Sequence, residues 1–138
     1  MTGPAFAAAA LALRGVRFRL NGRHAESGLD CLGVVAAALA ACGRPAVGLP
    51  RGYALRSSSY GDPARWAQAC GFVAAAGPCR AGDVLLVACS KVQLHVLVAL
   101  GDERFVHAHA GLRRVVVGPR DPAWAVVGHW RPDDPDRG

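Results

Sequence analysis

Aromatic residues make up only 7% of this 138-residue chain, too few for the stacked platform that single-stranded nucleic acid needs. No apolar run approaches the roughly 20 residues that cross a bilayer, which excludes a helix inserted in a membrane. No Lys or Arg precedes Arg14, so the apolar stretch Ala5 to Leu13 lacks the basic flank of a secretory signal. An ordinary first helix over residues 4–14 is expected there, in a chain made in the cytoplasm without an export signal. No segment repeats. The five cysteines, at 31, 42, 70, 79 and 89, form no Cys-x-x-Cys pair, and an odd number cannot close a complete disulfide framework. On one helix, Cys31 and Cys42 fall about 16 Å apart along the axis, beyond the roughly 7 Å between Cα atoms that a disulfide spans. No two Cys or His stand at finger spacing either, which disfavours zinc. Four of the five cysteines are expected to pack as small apolar residues in a reduced chain.

What is present points to one folded domain. Hydrophobic residues reach 52% over 138 positions, enough for a single core. Residues 1–131 are expected to form it, with the charged, Pro-rich 132–138 as a frayed tail. The net charge of +6 suits an anionic partner. The arginines look scattered along the chain rather than gathered into a stripe, so a cell-wall polymer, a membrane surface and nucleic acid would each satisfy it.

The stretch Gly28-Leu29-Asp30-Cys31-Leu32-Gly33-Val34-Val35 organises the rest. Apolar residues run almost unbroken from Val34 to Cys42, and Gly43 with Pro45 supplies a stop, which predicts a helix over 30–42. Asp30 is a natural N-cap, its carboxylate accepting from free amides of the first turn. Cys31 then sits where the helix dipole favours a thiolate and where unpaired amides are placed to hold an oxyanion. Before it, residues 15–28 read as a polar, glycine-containing lead-in, with His24 at the surface. After it, residues 44–61 read as a loop long enough to wall a groove. Asp62-Pro63 opens a short helix ending before Gly71, with Trp66 facing the core. Five strands follow, at 83–89, 93–100, 104–110, 113–117 and 126–130. Helices first and strands after predict an α+β domain, its N-terminal helices packed on one face of an antiparallel sheet of about five strands.

Alternation puts His95, Leu97 and Ala99 on one face of the second strand, and Phe105, His107 and His109 on one face of the third. A three-residue loop at Leu100-Gly101-Asp102 would set His95 directly across from His107, with His109 one diagonal step away. An even loop would put the histidines on opposite faces. A lone strand histidine is usually structural, but two that face each other beside Leu and Phe are harder to dismiss. A nucleophile, a base and a group that orients the base form a catalytic set. Cys31, His95 and His107 fill those three roles.

Five pieces in order resemble the NlpC-type cell-wall peptidases. They are Phe18-Arg19-Leu20-Asn21-Gly22, Gly28-Leu29-Asp30-Cys31-Leu32-Gly33, Ala81-Gly82-Asp83-Val84-Leu85, His95-Val96 and Phe105-Val106-His107-Ala108. The match runs from about residue 4 to 117. It implies a papain-like fold and a cysteine peptidase that cleaves peptidoglycan stem peptides at the γ-D-glutamyl–diaminopimelate amide. Cys31 would be the nucleophile, His95 the base and His107 its orienting partner, with Phe18, Asp30 and His109 on the substrate or oxyanion side and no metal or cofactor. Phe18 stands where the family commonly has Tyr, Asn21-Gly22 where it has Gly-Gly, and Leu32 where it has Ser. The stand-alone phage-type members, including those in tails of gene transfer particles, are the most similar variants. The implied partners are stem peptides and phage-like tail proteins, without nucleic acid, at the cell wall or periplasm. An N-acetylmuramoyl-L-alanine amidase or acyltransferase on the same fold, and an inactive tail protein, are the alternatives.

Overall fold

The computed structural model describes residues 1–51 and 61–134. Three helices precede most of the sheet: α1 (Gly3–Leu11), α2 (Cys31–Ala41) and α3 (Pro63–Ala69). Each begins on a side chain that accepts a first-turn amide. Thr2 takes Ala5 N–H at 3.1 Å, Asp30 takes Gly33 N–H at 2.9 Å and Asp62 takes Arg65 N–H at 3.3 Å, supplying partners the helix itself lacks. No helix among the described residues is long and apolar enough to cross a membrane.

Eight strands follow the alternation of the sequence with differences at their ends. A two-residue ladder joins β1 (Arg23–His24) to β2 (Gly28–Leu29). The main sheet holds β3 (Phe72–Ala74), β4 (Val84–Ser90), β5 (Gln93–Gly101), β6 (Arg104–His109), β7 (Arg114–Pro119) and β8 (Ala125–Pro132). Its order is β3-β8-β4-β5-β6-β7, antiparallel throughout. Six strands therefore stand where five were expected. The added one, β3, is three residues long and pairs only with β8, too short to show a period of its own. β8 runs on to Pro132, opposite Phe72, and Asp133 N–H donates to Gly71 C=O at 2.9 Å, so ordered pairing extends into the expected tail.

One sheet face, with Val84, Leu86, Val96, Val98, Val106 and Trp130, packs against α1 and α2. Leu32, Val34, Val35 and Leu39 on α2 are completely or almost completely buried there, and each such side chain contributes about 1.5–3 kcal/mol. The buried Leu32 explains why an apolar residue follows the thiol: it points into the core. The other face, with Leu85, Val87, Leu97, Ala99 and Phe105, is covered by Cys79, Cys89 and Trp124. α2 also touches the lead-in loop at its backbone: a Cβ on Gly33 would collide with the carbonyl oxygen of Gly22. Only glycine permits that approach, and it fixes the thiol-bearing end of α2 in place.

The last edge is covered. Residues 15–18 lie alongside β7, with Gly15 N–H to Val115 C=O at 2.9 Å, Val115 N–H to Val16 C=O at 2.8 Å and Phe18 N–H to Arg113 C=O at 2.9 Å. Arg17 pairs with Arg114, and Phe18 with Leu29, which ties the polar lead-in to the sheet rather than leaving it as a loop.

Candidate active site

Cys31 is the first residue of α2 and is only 5% exposed. It opens onto a cleft of about 230 Å³ whose walls include Phe18, Leu20, His95, His109 and Trp124. The structure thus brings four of the predicted residues, Phe18, Cys31, His95 and His109, to one cavity. The fifth, Asp30, also reaches it, but its carboxylate is already engaged. Oδ1 accepts from Gly33 N–H at 2.9 Å and from Arg23 Nη1 at 2.9 Å, and Oδ2 accepts from Asn21 N–H at 2.7 Å. Asp30 therefore holds the helix start and the lead-in loop together. Asn21 adopts φ of 60° to reach it, a left-handed conformation that Asn tolerates better than most residues.

His107 is buried behind His95 and does not line the cleft. His95 Nε2 and His107 Nδ1 lie 2.8 Å apart, so one ring donates to the other. With His95 as donor, its Nδ1 keeps the lone pair and is the nitrogen left for a thiol. Burial pushes the His95 imidazole down to about 3, helped by its histidine neighbours, first His107 and then His109. Burial, followed by repulsion from His109, takes His107 down to about 4. Both rings are neutral near pH 7, and only a nearby anion such as a thiolate favours protonating them.

The hairpin that presents these rings differs from the expected one. The turn is two residues long, Asp102 and Glu103, with φ of 31° and 60°, the positive pair of a tight hairpin. The ladder runs Gly101↔Arg104, then Ala99↔Phe105 and Val98↔Val106, with a register shift between Ala99 and Gly101. A bulge at Leu100-Gly101 adds the residue that restores parity. An even turn thus keeps the histidines on one face, contrary to the sequence expectation. Extended along the strands, this register sets His107 across from Leu97 and His109 across from His95. The His95–His107 contact is therefore diagonal rather than direct, a reach that ring side chains can make.

Sequence reasoning passed over two residues here. Trp124, from the β7–β8 connection, stands edge-on to both rings, 5.8 Å from His95 and 6.1 Å from His107 between centroids. Its backbone is held by Arg120 Nη1, which donates to its carbonyl at 2.7 Å. Cys89, expected as a packing residue, also lines the cleft, and burial leads the effects that push its thiol pKa up. No periodic signal marks either one, since Trp124 lies in a turn and Cys89 near a strand end.

All five cysteines are free. One group of metal-ligating residue types occurs among the described residues: Cys79, Asp83 and His129. Asp83, however, already accepts from Arg131 Nε and Nη2 at 2.8 Å each, Arg80 N–H at 3.0 Å and His129 at 2.6 Å. A carboxylate so occupied, with a guanidinium beside it, fits an ion-pair clasp between β4 and β8 and not a cation site.

A helix bearing a thiol at its start, laid against an antiparallel sheet that presents imidazoles, is the papain-like arrangement. Residues 15–127 match the model of the NlpC/P60 family, and the chain belongs to that family. Solved structures agree. The NlpC/p60 domain of the peptidoglycan hydrolase SagA is 26% identical over 91% of this chain and 98% of its own, with a TM-score of 0.61. The P60 domain of antigen MAP1204 from M. avium subspecies paratuberculosis is 20% identical over 94% and 93%, with a TM-score of 0.60. The peptidoglycan hydrolase RipB of Mycobacterium tuberculosis is 22% identical over 94% of this chain and 63% of its own, with a TM-score of 0.57. No curated protein matches the chain.

Proposed function

We propose that this protein is a cell-wall hydrolase that cleaves peptidoglycan stem peptides through Cys31. One observation carries the reading: a thiol at a helix start and a neutral imidazole share one cleft, and the far nitrogen of that imidazole is held by a second ring at 2.8 Å. In the proposed reaction His95 takes the Cys31 proton as sulfur attacks the amide carbonyl. The amide of Cys31, at the positive end of the α2 dipole, helps hold the oxyanion. His95 then gives the proton to the leaving amine as the C–N bond breaks, and water hydrolyses the thioester. His107 keeps the His95 ring in the required orientation and tautomer, as a positioning residue.

Family membership and the hydrolase neighbours support the substrate class. The γ-D-glutamyl–diaminopimelate amide is the bond that the sequence resemblance favours, and action at the cell wall or periplasm goes with it. Delivery by a phage-like tail is a further part of the proposal and rests on that resemblance alone. Purified peptidoglycan digested with wild type and with Cys31→Ala, followed by mass spectrometry of the fragments, tests the reading. New γ-D-glutamyl and diaminopimelate ends from wild type alone are expected. Free N-acetylmuramoyl ends would instead identify an amidase, and identical fragment patterns with the two proteins would refute thiol hydrolysis.

A further inference from the structure

The arginines that look scattered along the chain are partly gathered by the fold. Residues 15–18 lie against β7, which brings the segment that carries Arg14, Arg17 and Arg19 alongside the one that carries Arg113 and Arg114. Arg17 and Arg114 are bridge partners. Arg17 and Arg19 also share a side, since a Cβ on Gly28 would fall 2.7 Å from the Arg19 Cβ and 3.4 Å from the Arg17 Cγ. All five arginines are exposed. Among the described residues none is in an ion pair, whereas Arg23, Arg104 and Arg131 are each matched to an aspartate. No acidic residue occurs between residues 11 and 23 or between 104 and 120. A cluster of like charges left unmatched in the protein is complementary to an anion from outside.

Its position suggests which anion. Phe18 and Leu20 line the cleft, and Arg17 and Arg19, which alternate with them, lie on the outer side of the same segment. On the other arm, Gly111 lines the cleft two residues before Arg113. Arg114, the bridge partner of Arg17, stands directly across the β6–β7 ladder from His109, which lines the cleft. We propose that Arg14, Arg17, Arg19, Arg113 and Arg114 form a binding site for free carboxylates of peptidoglycan stem peptides, continuous with the Cys31 cleft. This deepens the proposed function by adding a preference for stem peptides whose carboxylates are free rather than amidated. The planar guanidinium fork matches a carboxylate in two-point fashion.

The test is co-sedimentation with purified sacculi, using protein with Cys31→Ala so that no cleavage intervenes. Two charge-matched pairs are added to that background: Arg17→Gln with Arg114→Gln, and Arg65→Gln with Arg104→Gln as the remote control. Loss of charge-assisted bonds to the anion should weaken binding of the first pair by about tenfold and leave the control pair near the parent. Sacculi whose carboxylates are capped as methylamides should bind the parent protein about tenfold less. Equal losses in both pairs, or undiminished binding to capped sacculi, would overturn the proposal. So would binding that disappears only when phosphate polymers are stripped from the wall, which would name phosphate as the ligand. Wild type that binds through Arg17 and Arg114 but cleaves nothing would refute the hydrolase reading and leave the carboxylate site standing.

Discussion

Replacing Asp30 by alanine tests how the thiol is held, and the cost follows from the bonds it removes. The Arg23–Asp30 pair is buried, with side chains 6% and 3% exposed and 2.9 Å between Nη1 and Oδ1. Alanine removes the helix cap on Gly33, worth about 1 kcal/mol. It also strips a buried guanidinium of its counterion, which costs about 3–5 kcal/mol. Arg23 keeps its bonds to the carbonyls of Gly22 at 3.1 Å and Pro50 at 2.7 Å, so the lower part of that range applies and the total is about 4 kcal/mol. Unfolding entropy is about 0.3 kcal/mol/K for a chain of this length, so Tm should fall by about 13 °C. Asp30→Asn keeps an acceptor for the cap but not the charge, and should fall most of the way. Adding Arg23→Met to Asp30→Asn removes the stranded charge and should recover a large share of the loss. Scanning calorimetry of the four proteins at pH 7 decides the matter. A drop of less than about 3 °C for Asp30→Ala, roughly 1 kcal/mol, would refute the reasoning. A double variant no more stable than Asp30→Asn would do the same.

His107→Ala should cut turnover at least about 100-fold through loss of base orientation. His109→Ala should mainly raise KM, because His109 lines the cleft while its Nδ1 accepts from Leu112 N–H at 3.0 Å; the reverse ranking in folded proteins would overturn the assignment. Iodoacetamide at pH 6.5 should label Cys31 first, since burial is the leading cause that pushes up the thiols of Cys70, Cys79 and Cys89; peptide mapping that finds Cys89 labelled equally would count against it. Stability should fall with acid in two windows. His95 and His107 sit at about 3 and about 4 in the folded chain, against an ordinary value near 6.5 when unfolded. The unfolded chain therefore gains protons first, and stability declines from pH 6.5 downward. Asp83 adds to this below about pH 4. Burial alone would raise it, but Arg131, the Arg80 amide and His129 together hold it below its usual value. Urea midpoints that stay flat between pH 7 and 4.5 would contradict the histidine assignment, and His107→Gln should flatten part of the slope.

Local signals in the sequence were strong where one residue type does one job. Asp30 before the apolar run, and Gly43 after it, place α2 within a residue of its observed ends. Alternation places His95, His107 and His109 on shared faces. What stayed hidden depends on distant partners or on irregular backbone. β3 acquires its pairing only from β8, some 60 positions later. The bulge at Leu100-Gly101 leaves no mark on alternation, because it sits where the strand is already turning. Asp30 looked available for substrate because its partner, Arg23, lies in a lead-in whose fold nothing local specifies. The arginines at 14–19 and 113–114 look dispersed until the covered edge of β7 joins them. Residues 52–60 of the loop expected at 44–61 lie outside the described residues.

β8 is the last strand among the described residues but lies second in the sheet, between β3 and β4. Its place has consequences for the order in which the molecule comes into being on the ribosome. β4 to β7 form a run of neighbours in sequence and can pair as they emerge, whereas β3 has no partner until β8 arrives. The turn that leads into β8 also carries Trp124, the ring standing over both histidines. A chain that extends only as far as β7 carries the thiol and the histidines but neither Trp124 nor the full sheet. The six-stranded order is complete only when residues 125–132 pair with both β3 and β4. The cleft wall that includes Trp124 is therefore present only once the chain extends beyond β7.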